Sequence, residues 1–206
     1  MNDPSCGYVS LHFGPMFSGK TGWALLEADA VATDRRKQGS DLIQYAKPVG
    51  DTRTGAIWSR MACVDRPCET IPKDPEKMIA SLEVLVREKP ILVGDEIQFL
   101  AIEDPQRVIR VLTGAAAEGH VIVLAGLDAD YLRQPFAMTA ALMMDPRVRK
   151  THHTARCDVC NGLATLSQRL LNGSPAPRDM PREIVEGKEE GVTYEPRCFR
   201  CHVIPP

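Results

Sequence analysis

Apolar and polar positions along the chain change period several times, and each change marks an element. Tyr8 to Phe13, Tyr-Val-Ser-Leu-His-Phe, alternates weakly and has the length of a strand. Glycine follows at once, and beyond the loop 14–21 the positions Trp23, Leu25, Leu26, Ala30 and Val31 form a helical stripe that Gln38-Gly39-Ser40 ends. Leu42 to Tyr45 is a second candidate strand. From Pro48 to Pro75 the Pro, Gly, Asp and Thr content rises without a sustained period, which predicts a long active-site loop. Asp74-Pro75-Glu76 then reads as a helix start, with Met78, Ile79, Leu82, Leu85 and Val86 on one face as far as Pro90. Ile91 to Gly94 is continuously apolar, as a strand buried on both faces must be, and Asp95-Glu96 falls at its end. Asp104-Pro105 opens another helix carrying Val108, Ile109, Val111 and Leu112, Gly119 closes it, and Val121 to Ala125 repeats the buried-strand composition.

Strands alternating with helices predict an α/β fold: a parallel sheet flanked by helices, with the C-terminal strand ends gathered on one edge where ligands bind. Past about Thr151 the texture changes to two C-x-x-C knuckles around a polar, Gly- and Pro-containing stretch. The expected organisation is an α/β domain over 1–150 and a small second domain over 151–206.

Composition adds constraints. The chain's 206 residues, 44% of them hydrophobic, are enough to bury a core. With 25 Lys+Arg against 27 Asp+Glu, charge gives no global reason to expect a nucleic acid or an anionic membrane as partner. The N-terminus lacks a basic flank before an apolar run, and no segment has the length of a membrane span, so a cytoplasmic protein is expected. In such a compartment seven cysteines, four of them paired as C-x-x-C, favour a metal over disulfides.

Two motifs carry chemistry. Gly14-Pro15-Met16-Phe17-Ser18-Gly19-Lys20-Thr21 fits G-x-x-x-x-G-K-[ST] between a strand and a helix, the context in which backbone amides converge on the phosphates of ATP. Lys20 would reach the β- and γ-phosphates and Thr21 would face Mg²⁺, with Asp95 at a strand tip as the partner that holds the metal. Glu96 beside it would take a proton from an attacking group: water in an ATPase, a hydroxyl in a kinase. The motif itself leaves that choice open, and a nucleic-acid-associated P-loop ATPase with a zinc ribbon is the alternative to a kinase. The second motif is Cys157-x-x-Cys160 and Cys198-x-x-Cys201, two knuckles separated by 37 residues. Four thiolates fill a tetrahedral shell, so the expected Zn²⁺ is structural. His202 and the pair His152-His153 are further metal-binding types that a four-cysteine shell does not need.

Taken in order, the P-loop, Lys47-Pro48 with Asp51-Thr-Arg53, Asp95-Glu-Ile-Gln-Phe99, Gly126-Leu-Asp-Ala-Asp-Tyr-Leu-Arg-Gln-Pro-Phe136, the knuckles, Ser167-Gln-Arg169 and Tyr194 resemble the zinc-containing, P-loop (type II) thymidine kinase family over most of the chain. The resemblance implies a RecA-like core with a zinc ribbon and a lasso, and transfer of the ATP γ-phosphoryl group to the 5′-hydroxyl of thymidine, with deoxyuridine a possible second acceptor. It implies Glu96 as the base and Arg53 as the group that steadies the transferring phosphoryl. Met16, Phe99, Leu127, Tyr131, Ser167 and Tyr194 are then expected around the nucleoside, and Ile184 and Val185 where the lasso between Leu170 and Tyr194 meets the base. A homotetramer inhibited by thymidine triphosphate is implied as well. Tyr131 stands where phenylalanine is common, adding a hydroxyl that needs a partner when buried, and Gly22-Trp23 replaces a hydroxyl residue followed by an aliphatic one.

Overall fold

The structure is a computed structural model that describes residues 6–35, 42–49, 55–59, 61, 63–100, 102–182 and 189–205. Arg53, Ile184, Val185 and the breaker Gln38-Gly39-Ser40 lie outside the described residues. A six-stranded sheet is built from β1 (Tyr8–Phe13), β2 (Ile43–Pro48), β5 (Glu69–Ile71), β6 (Ile91–Gly94), β7 (Val121–Gly126) and β8 (Val148–His152). Their order is β5-β2-β6-β7-β1-β8, and every pairing is parallel. The expected α/β fold is therefore present, and one edge of the sheet collects residues 14, 48, 95, 127 and 153.

The period of two within the strands divides the core. Ile91, Val93, Val121, Val123 and Ala125 pack with Ala24, Leu25 and Ala28 of α1 (Lys20–Arg35). Leu92, Ile122 and Leu124 turn the other way, against Met78, Leu82, Leu85 and Val86 of α2 (Pro75–Glu88), Val108, Ile109 and Leu112 of α3 (Pro105–Ala117), and Met138 and Leu142 of α4 (Ala137–Met144). Parallel strands covered on both faces need apolar side chains at every position, hence the unbroken runs. β1 departs from this. Val9, Leu11 and Phe13 join the α2/α3 side, while the buried polar Ser10 and His12 alternate with them. Asp74 and Asp104 cap α2 and α3, accepting from the amides of Lys77 and Gln106, each at 3.0 Å, with proline at the first helical turn.

The stretch from Pro48 to Pro75 is not the long unstructured loop that composition predicted. It holds an antiparallel hairpin, β3 (Ala56–Ser59) with β4 (Val64–Pro67), and then β5, which adds an edge to the sheet beside β2. Each strand is three or four residues long, and Ile57 and Ile71 alone join the hydrophobic core from β3 and β5. So few buried positions leave no periodicity to read.

β8 runs to His152, and the ribbon begins at Ala155. It comprises β9 (Ala155–Arg156) with β10 (Leu163–Ala164), and a three-stranded antiparallel sheet of β11 (Leu166–Leu171), β12 (Ser174–Pro175) and β13 (Val192–Arg197).

Candidate active site and cysteine cluster

The phosphate loop turns between β1 and α1 through backbone that few side chains tolerate. Gly14 has φ +147°, and a Cβ there would stand 2.1 Å from the carbonyl oxygen of His153, so only glycine fits. Lys20 is buried and its Nζ donates to the Pro15 carbonyl at 3.3 Å. Ser18 Oγ is buried without a hydrogen-bond partner among the described residues, an acceptor and donor left over in a loop whose type holds phosphates.

Asp95 follows β6, two strands away from β1, and accepts from Thr21 Oγ1 at 3.1 and 3.3 Å. Burial pushes the Asp95 carboxyl up to about 7, the neighbouring Glu96 carboxylate adds to that, and Lys20 and the Thr21 hydroxyl oppose it. A buried carboxylate under that much strain, facing a hydroxyl and an ammonium, is a donor set that suits a small hard cation.

Glu96 sits in left-handed backbone at φ 54° and opens a 3-10 turn over Ile97–Phe99. A non-glycine residue held there stores about 1 kcal/mol or more of strain, a cost tolerated mainly where position matters. Its carboxylate accepts from Gln98 Nε2, and Gln98 Oε1 in turn accepts from the Leu127 amide at 3.0 Å. Gln98 thus clamps Glu96 to the end of β7. Glu96 lines a cleft of about 400 Å³ together with Met16, Phe17, Lys20, Thr21 and Leu127. The hairpin also reaches this cleft through Trp58, Ser59 and Met61. Gly22 makes that approach possible, since a Cβ on it would stand 2.5 Å from Met61 Cε and 2.8 Å from Ser59 Oγ.

The ribbon closes on the same edge. Ser167 Oγ, on β11, accepts from the Met16 amide at 2.9 Å. Tyr131 is buried, and the partner its hydroxyl needs is the Pro177 carbonyl at 2.9 Å, with those of Met180 at 3.2 Å and Arg178 at 3.4 Å. Arg169, fully buried, joins these parts. Its guanidinium carbon lies 4.0 Å over the Tyr131 ring and 5.3 Å over that of Tyr194. Its nitrogens donate to Tyr194 Oη at 2.8 Å, Pro181 O at 2.6 Å and Arg182 O at 2.7 Å. Arg182 returns to the core: its Nε stands 2.6 Å from Asp130 Oδ2, an ion pair rather than an aligned hydrogen bond.

Met16, Leu127 and Glu96 therefore share one cleft, Ser167 touches Met16, and Tyr131 and Tyr194 meet through Arg169. Phe99 is half-buried on the turn that follows Glu96. Gln98 and Arg169 stood inside recognised motifs without an assigned role. Their spacing to Glu96 and Tyr194 gave no signal, because their work depends on what is buried around them.

The four cysteines Cys157, Cys160, Cys198 and Cys201 bring their sulfurs within 4.8 Å of one another, and Cys160 and Cys198 lie 3.6 Å apart. A tetrahedron with ~2.3 Å metal–sulfur bonds has sulfur–sulfur edges of about 3.8 Å, so the cluster fits one metal ion. The turns that present the sulfurs are closed by Asn161 N to Cys157 O at 2.8 Å and His202 N to Cys198 O at 3.0 Å. His202 points its ring elsewhere: Arg133 Nε donates to its Nδ1 at 3.2 Å, and its Nε2 lies 3.3 Å from Ser167 O. Among the described residues no helix is long and apolar enough to cross a membrane.

Residues 7–202 match the family model for thymidine kinase. The chain is 30% identical over 205 residues to a thymidine kinase of Thermococcus kodakarensis, covering 97% of this chain and 95% of that one. It is 33% identical over 197 residues to a thymidine kinase of Pyrobaculum aerophilum, covering 94% and 97%. A match of that extent, over a parallel sheet whose phosphate loop faces a paired acid, establishes that the chain is a kinase of the thymidine kinase family.

Proposed function

We propose that the protein transfers the γ-phosphoryl group of ATP to the 5′-hydroxyl of thymidine, giving thymidine monophosphate and ADP. The observation that carries the reading is Glu96, held in left-handed backbone and clamped by Gln98 in the cleft that the phosphate loop lines. In this reading Glu96 takes the proton of the 5′-hydroxyl as its oxygen bonds to the γ-phosphorus and the bond to the β-phosphate oxygen breaks. The backbone amides of residues 16–21 and the Lys20 ammonium neutralise the charge that moves onto the departing ADP. Thr21 and Asp95 would hold Mg²⁺, which when bound supplies further neutralisation. Arg53 steadies the transferring group.

Met16, Phe99, Leu127, Tyr131, Ser167, Ile184, Val185 and Tyr194 surround the nucleoside. A flat pyrimidine suits aromatic faces, with loop backbone for its polar edge. Residues 1–150 form the kinase domain and 151–206 a ribbon whose Zn²⁺, held by Cys157, Cys160, Cys198 and Cys201, fixes the two ends of the lasso. The assembly is a cytoplasmic homotetramer.

The test is thymidine-dependent release of ADP, with the monophosphate identified by chromatography. Glu96→Gln should lower kcat by about 10²–10⁴ and leave ATP affinity unchanged. A variant as active as the parent removes Glu96 from the role of base. ADP release that ignores thymidine and rises with DNA would instead favour a nucleic-acid-stimulated ATPase.

A further inference from the structure

β6 and β7, which end in Asp95-Glu96 and Leu127, lie on one side of β1; β8, which ends in His152-His153, lies on the other. Of these strand ends, the proposed acceptor site uses those of the first side. On the second, Trp23 stands in the opening turns of α1 with 48% of its surface exposed. Its indole stacks on the His153 imidazole at 6.0 Å between centroids and 16° between planes.

Both rings are fastened to the phosphate loop. The Trp23 amide donates to Gly19 O at 3.1 Å, and a Cβ on Gly19 would lie 3.8 Å from Trp23 Cδ1. The His153 amide donates to Phe13 O at 2.7 Å, while its carbonyl packs against Gly14.

A partly buried relay sets the angle of the imidazole. His12 Nε2 lies 2.6 Å from Glu27 Oε2, and His12 Nδ1 lies 2.8 Å from His153 Nε2. With Glu27 ionised, His12 Nε2–H donates to Glu27, and a single proton joins His12 Nδ1 to His153 Nε2. Burial pushes Glu27 up, but its hydrogen bond with His12 helps to outweigh that and leaves the carboxyl below its ordinary value. Burial, His12 and Lys20 press His153 down to about 4, which keeps its ring uncharged.

An exposed indole backed by a fixed, neutral imidazole adds nothing to the binding of phosphate. It offers a flat, half-exposed face in the first turns of the helix that follows the phosphate loop. We propose that Trp23, backed by His153 and oriented through His12 and Glu27, is the stacking platform for the purine base of the phosphoryl donor. The proposal rests on the reading of the phosphate loop as the ATP site.

Stacking of a base on an aromatic side chain is lost with a penalty of about 5- to 150-fold in affinity on truncation. Trp23→Ala should therefore raise KM for ATP about tenfold and leave KM for thymidine unchanged. Trp23→Phe should recover most of the loss. Inorganic tripolyphosphate, which has no base, should inhibit parent and Trp23→Ala equally. In a Trp58→Phe background Trp23 is the one remaining tryptophan, and its fluorescence should be quenched by ATP and unaffected by tripolyphosphate.

An unchanged KM for ATP in Trp23→Ala, equal weakening of ATP and tripolyphosphate, or a changed oligomeric state with donor affinity intact would each overturn the platform. Quenching by ATP in a protein that makes no thymidine monophosphate would uphold the platform and refute the proposed reaction. Thymidine phosphorylation indifferent to Trp23 would do the reverse.

Discussion

Replacing Asp95 by asparagine removes a charge and keeps the shape, including an oxygen for the Thr21 hydroxyl, so it separates the cost of the buried carboxylate from its use. In the folded, nucleotide-free protein burial and Glu96 raise this group from 3.8 to about 7. The folded chain therefore keeps a proton that the unfolded chain releases between about pH 4 and pH 7. Asp95 favours folding fully below its unfolded value, and that contribution is lost as pH rises through the folded value. An interval of about three pH units, at 1.36 kcal/mol each, sets a ceiling of about 4 kcal/mol, and local hydration reduces it to roughly 2. At pH 8, without nucleotide or magnesium, Asp95→Asn should melt about 4–8 °C above the parent, given ~2–4 °C per kcal/mol for a chain of this size. At pH 4 the two should melt together. Magnesium-ATP should raise the parent's melting temperature much more than the variant's, and the variant should fail to transfer phosphate. Calorimetry at the two pH values is the assay. A variant equal to or less stable than the parent at pH 8 would refute the claim that this carboxylate is strained in the absence of a cation.

Two further perturbations address the ribbon. Tyr131→Phe takes away the hydroxyl that meets the Pro177, Arg178 and Met180 carbonyls; it should cost about 1 kcal/mol of stability and raise KM for thymidine severalfold with KM for ATP constant, and steady-state kinetics showing no change would exclude the hydroxyl as an anchor of the lasso. Cys160→Ser should abolish stoichiometric zinc measured by atomic emission and expose 170–194 to protease, and a variant still holding one zinc per chain would disprove four-cysteine coordination.

Much of this architecture is legible in the amino-acid order, for identifiable reasons. β6 and β7 are covered on both faces and so read as unbroken apolar runs, and α2 and α3 announce themselves through Asp-Pro starts. The phosphate loop and the knuckles are legible because local backbone geometry dictates their spacing. The hairpin and β5 were not, since their strands are three or four residues long and few of their side chains enter the core. β8 was equally silent: Val148 is its one buried residue, as befits an edge strand, and α4 is too uniformly apolar to show a face. At the site, the acids and Lys20 could be identified from type and spacing. Gln98, Arg169, Glu27 and His12 could not, because a polar side chain acquires a role from what surrounds it after folding. The alternation of Ser10 and His12 with Val9, Leu11 and Phe13 was the one available hint that the α1 face of β1 carries chemistry.

The buried guanidinium of Arg169 has a kinetic consequence. It shares one cation among the Tyr194 hydroxyl, the Pro181 and Arg182 carbonyls and the ring of Tyr131. Letting go of any one acceptor leaves the charge under-solvated for the others, so the contacts to Tyr194, Pro181 and Arg182 are lost together. With the nucleoside beneath these residues, as proposed, its entry and release would wait on the loss of all these contacts together.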